Sequence, residues 1–81
     1  MSNLSIIFTK GGNNLTLQCN AMETVENILN RYCSKAQINI ADFSFYYNGA
    51  EIPICNKTLL ALGIQNMNSI NVVESKKVVG A

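Results

Sequence analysis

Apolar residues recur at every second position near both ends of this chain and with a helical period between them. Leu4, Ile6 and Phe8 alternate with Ser5, Ile7 and Thr9, which predicts a strand with one buried face. Lys10-Gly11-Gly12-Asn13 is a tight-turn sequence, because Gly and Asn enter positive φ at little steric cost. Leu15, Leu17 and Cys19 then alternate with Thr16 and Gln18, so the two runs predict an N-terminal β-hairpin. Thr24 stands where its hydroxyl caps a helix, and Glu26 lies in the first turn, where a carboxylate suits the helix dipole. Val25, Ile28, Leu29, Tyr32, Cys33 and Ala36 fall on one continuous helical stripe, while Glu23, Asn27, Asn30, Arg31 and Ser34 face away from it. Lys35 suits the C-terminal end of that dipole.

Ile38 and Ile40 are expected to pack a short link into a third strand, Phe43 to Tyr47, which stops at the turn pair Asn48-Gly49. Glu51-Ile52 begins a short fourth strand. Thr58 to Ile64 reads as a brief helical turn stopped by Gly63. Ile70 and Val72 alternate with Asn71 and Val73 as the last strand. A hairpin, a crossing helix and further strands on the same sheet make an α+β arrangement with a right-handed crossover. No internal repeat or linker interrupts it. One domain over residues 1–74 and a flexible tail over residues 75–81 is the expected organisation.

Composition narrows the function classes. Eighty-one residues suffice for one domain, and the hydrophobic fraction of 48% supports a modest core. A net charge of +1 provides no basic face to track phosphates, so nucleic acid is not an expected partner. No apolar run approaches the about 20 residues a membrane span needs. The start, MSNLSIIF, has neither the basic region nor the long apolar stretch of a signal peptide. The three cysteines are an odd number and are read as free thiols in a reducing compartment, cytosol or nucleus. A catalytic thiol needs a nearby base, and the chain has no histidine. Zinc needs four soft ligands at paired spacing, which these cysteines do not offer. No enzyme activity, metal or cofactor is expected.

The order of elements and several segments resemble the ubiquitin-like β-grasp family. Thr24-Val25-Glu26-Asn27-Ile28 looks like the helix start of ubiquitin. Tyr32-Cys33, Phe45-Tyr46-Tyr47-Asn48-Gly49-Ala50-Glu51-Ile52 and Leu62-Gly63-Ile64 look more like SUMO. The resemblance spans about residues 4 to 74. It implies a β-grasp fold with a mixed sheet of four or five strands on one helix. It also implies a monomeric protein that is recognised by other proteins.

Two modes of action follow from that resemblance. In the first, the domain docks partners non-covalently, alone or as part of a larger or processed polypeptide. The residues matching the docking face of ubiquitin are Tyr46 and Val73, with Ile7 beside them on the outward side of the first strand. In the second, the chain is a modifier joined to target lysines by activating and conjugating enzymes. Such modifiers end in Gly-Gly, whereas Val78 and Val79 hold those positions here, so the conjugation terminus would be Gly80 after removal of Ala81. A SUMO-like groove for short hydrophobic peptides would use Leu15, Thr16, Leu17, Gln18, Asn20 and Lys35 through strand addition. Most of its basic rim is replaced by neutral residues, leaving Lys35. The missing Gly-Gly favours docking.

Overall fold

The structure is a computed structural model that describes residues 3–75. Strands β1 (Asn3–Lys10) and β2 (Asn13–Asn20) form the expected hairpin. They pair antiparallel without a bulge from Asn3↔Asn20 to Lys10↔Asn13. Gly11 and Gly12 make the turn at φ 52° and 89°, a pair of positive values that matches the right-handed twist of the flanking strands.

Helix α1 (Val25–Ala36) starts where Thr24 predicts. The Thr24 hydroxyl accepts a hydrogen bond from the Asn27 N–H at 3.2 Å. The two remaining N–H groups of the first turn donate to a distant loop, Val25 to the Lys57 carbonyl at 2.8 Å and Glu26 to the Cys55 carbonyl at 2.9 Å. Three of the four donors that an α-helix leaves over at its start are therefore consumed internally. α1 ends at Gln37, which adopts the left-handed conformation.

The link to β3 (Phe43–Tyr47) is tighter than the sequence suggests. A 3-10 turn over Ile40–Asp42, capped by the Asn39 side chain, folds Ile38 and Ile40 onto the core. β4 (Ala50–Glu51) lies one residue before the expected Glu51-Ile52. Ile52 nonetheless continues the pairing by donating its N–H to the Phe45 carbonyl at 2.7 Å, and its side chain is buried. Helix α2 (Leu59–Leu62) is one turn, capped by Thr58 and closed by Gly63. β5 (Ser69–Glu74) completes a five-stranded sheet in the order β2-β1-β5-β3-β4. β5 runs parallel to β1 and antiparallel to β3, so the sheet is mixed and the fold is α+β.

The core lies between one face of this sheet and α1. Ile6, Phe8, Leu17, Phe45, Ile70 and Val72 point inward from the sheet, and Val25, Ile28, Leu29, Tyr32 and Cys33 meet them from the helix. The period-two strands and the helical stripe thus bury the sides the sequence marks as apolar.

Candidate functional site

Burying the even-numbered residues of β1, β3's Phe45 and β5's Ile70 and Val72 leaves the other sheet face outward. Ile7, Tyr46 and Val73 all lie on that outer face. Ile7 and Tyr46 are half-buried, and Val73 is 49% exposed. The register shows how they relate. Tyr46 lies directly opposite Asn71, and Ser44 opposite Val73, so Tyr46 and Val73 are diagonal neighbours on adjacent strands. Diagonal pairs of this kind are within reach of an aromatic side chain. Ile7 faces Ser69 across the β1–β5 pair, with Asn71 between it and Tyr46. The apolar groups therefore form a Tyr46–Val73 pair with Ile7 as an outlier, separated by Asn71 and Ser69. Thr9, Thr16, Ser44 and Glu51 surround them, giving a mostly neutral, polar rim.

The second candidate region is the free edge of β2. Leu17 is buried at 2% exposure and Leu15 is partly buried against the core, while Thr16, Gln18, Asn20 and Lys35 are exposed. Sequence reasoning places Arg31 and Glu23 away from the apolar stripe of α1, and it misses what they do instead. Arg31 reaches across to β2 and donates from Nη2 to the Gln18 carbonyl at 2.8 Å. Its Nη1 pairs with Glu23 Oε2 at 2.5 Å. Glu23 also accepts from the Asn20 N–H at 3.2 Å and from the Asn27 side-chain amide. The signal was present as Glu23, Asn27 and Arg31 at four-residue spacing, a stripe of its own beside the apolar one.

Gly80 lies outside the described residues. The thiols of Cys19, Cys33 and Cys55 are free. Burial pushes the Cys19 thiol up to about 11, with the Glu23 carboxylate adding to the effect. Burial also raises Cys33 and Tyr32, the latter with a further contribution from Cys33. Among the described residues no three metal-binding side chains converge, and no helix is long and apolar enough to cross a membrane.

Comparison with known proteins agrees with this architecture. A family model described as Ubiquitin-2 like Rad60 SUMO-like matches residues 5–73. Among solved structures, the ubiquitin-like domain of an Arabidopsis thaliana protein superposes with a TM-score of 0.85 at 18% identity, over 95% of this chain and 82% of that one. Ubiquitin of Caldiarchaeum subterraneum superposes with a TM-score of 0.82, also at 18% identity, over 95% of this chain and 99% of that one. At such identities the likeness is one of fold. No curated protein sequence matches this chain.

Proposed function

We propose that this chain, which belongs to the Rad60 SUMO-like family of ubiquitin-like domains, acts by non-covalent protein recognition through the outer face of its sheet. Tyr46 and Val73 form the centre of that surface and Ile7 its margin. The supporting observation is the contrast within β5. Ile70 and Val72 are buried, whereas Val73 is 49% exposed although it sits in the same strand. About half of that side chain is left to solvent, and an aromatic residue stands diagonal to it. Tyrosine offers a rigid apolar body with a polar tip, which suits a partner surface.

The chemistry of the remaining groups supports recognition over catalysis. The chain has no histidine to serve as a base. Burial holds Cys19 and Cys33 in the thiol form, the unreactive state of the side chain.

A photocrosslinking amino acid at position 46, with Asn30 on the exposed side of α1 as a control position, tests this reading in cells of the source organism. Adducts specific to position 46, competed by unmodified chain but not by Val73→Asp chain, are the expected result. Equal adduct patterns from both positions would remove the sheet face as the docking surface.

A further inference from the structure

The two edges of the sheet are protected in different ways. β4 is only two residues long and is followed closely by Pro53, so it offers little backbone to a stranger. β2 is the opposite case. It is eight residues long, pairs with β1 without a bulge, and contains neither proline nor a charged residue. Lysine, proline, bulges and short length are the usual means of blunting an edge strand, and β2 has none of them within itself.

The polar groups on its open side can be assigned. In an antiparallel pair alternate residues bond to the neighbour, and those between them point both backbone groups away. The Gln18 carbonyl and the Asn20 N–H are bonded from the α1 side, so the even-numbered residues Asn14, Thr16, Gln18 and Asn20 face the open edge. Arg31 occupies the Gln18 carbonyl, and Glu23 occupies the Asn20 N–H. These two side chains are joined to each other, and Glu23 is fixed by the Asn27 amide as well. One ion pair thus covers the half of β2 nearest α1, leaving Asn14 and Thr16 open.

We propose that the Glu23–Arg31 pair is an edge guard, which keeps a second copy of this chain from adding its own β2 to the sheet. The occupant it excludes follows from the strand. An antiparallel β2–β2 contact about a two-fold axis places uncharged residues opposite uncharged residues, with no like-charge penalty. The central registers pair Thr16 with Thr16 or Thr16 with Gln18. Each of them uses the Gln18 carbonyl, the group Arg31 holds. Such pairing would also cover the exposed part of Leu15, the one apolar side chain of β2 left partly open.

Analytical ultracentrifugation of the native chain, Arg31→Ala and Arg31→Gln over a wide concentration range tests the guard, with amide NMR spectra to report folding. The native chain is expected to stay monomeric, and the folded variants are expected to double in mass as concentration rises. Thr16→Pro in the Arg31→Ala background removes an N–H that faces the open edge and is expected to restore the monomer. Folded variants that remain monomeric would overturn the proposal. So would a native chain that dimerises to the same extent, or an association that survives Thr16→Pro. If neither variant folds, the pair is a structural prop and the guard is likewise rejected.

Discussion

The rings of Phe8 and Tyr32 lie nearly parallel, with centroids 4.3 Å apart and 11° between their planes. This stack joins the C-terminal half of β1 to the C-terminal half of α1. Tyr32 in turn meets Phe45 edge-on at 6.3 Å and 89°, so one helical ring ties two non-adjacent strands together. Tyr32→Ala removes both contacts from a site only 2% exposed and should cost about 3–5 kcal/mol. Tyr32→Phe retains both rings and should cost no more than about 1.5 kcal/mol. Urea unfolding of the two variants beside the native chain measures the difference, and equal losses would show that the ring contacts are not what holds the helix to the sheet.

Most of that core was legible in the sequence, because each contributing residue lies on a simple period. Leu4, Ile6 and Phe8 mark their strand, and Val25 to Cys33 mark their helix, without knowledge of the partner. The polar contacts were legible only in part: the four-residue spacing of Glu23, Asn27 and Arg31 marks these side chains as neighbours, but their backbone partners follow no period. Arg31 binds a backbone carbonyl in β2, and a carbonyl has no sequence signature. The same holds for the Cys55 and Lys57 carbonyls that satisfy the start of α1. In the candidate site, alternation placed Ile7, Tyr46 and Val73 on the outer face. The insertion of Asn71 between Ile7 and Tyr46 depends on β5 lying between β1 and β3, an order that strand pattern alone does not specify.

Thr24 and Thr58 begin the two helices and also bridge one another across the molecule. Each hydroxyl accepts an N–H three residues on, from Asn27 at 3.2 Å and Ala61 at 3.1 Å. Thr24→Ala should lower stability by about 1 kcal/mol through the lost cap. Thr24→Ser keeps the acceptor and should stay close to the native value. Thermal melts of both variants check the assignment, and a Thr24→Ser loss as large as that of Thr24→Ala would point to the methyl group instead.

Alkaline pH should destabilise the fold. Cys19 is raised in the folded state from 9.0 to about 11, and Cys33 and Tyr32 shift in the same direction. Between the two values the unfolded chain has lost the Cys19 proton while the folded chain retains it. Stability from the neutral thiol is therefore complete below about 9 and falls as pH rises toward about 11. Melting temperatures recorded across this window should decline, and less steeply for Cys19→Ala. A flat profile in the native chain would contradict the burial assigned to this thiol.

Docking and conjugation differ in what they demand of Gly80, which lies outside the described residues. Under the docking reading, a chain ending at Gly80 forms no ATP-dependent thioester in lysate of its source, while added ubiquitin does. Appearance of a reducible, higher-mass adduct that Gly80→Ala abolishes would instead establish a modifier.

The last strand of the fold, β5, occupies the middle of the sheet, between β1 and β3. Its parallel pairing sets Ile7 against Ser69, and its other side holds Phe43 to Tyr46. During synthesis, the hairpin and helix can emerge and collapse, yet β1 and β3 have nothing to bind between them until residue 74 has left the ribosome. Until then, both strands present unpaired backbone to the surroundings. A nascent chain of this topology completes its sheet in one late step, and arrest anywhere before β5 leaves a chain suited to chaperones rather than to its partners.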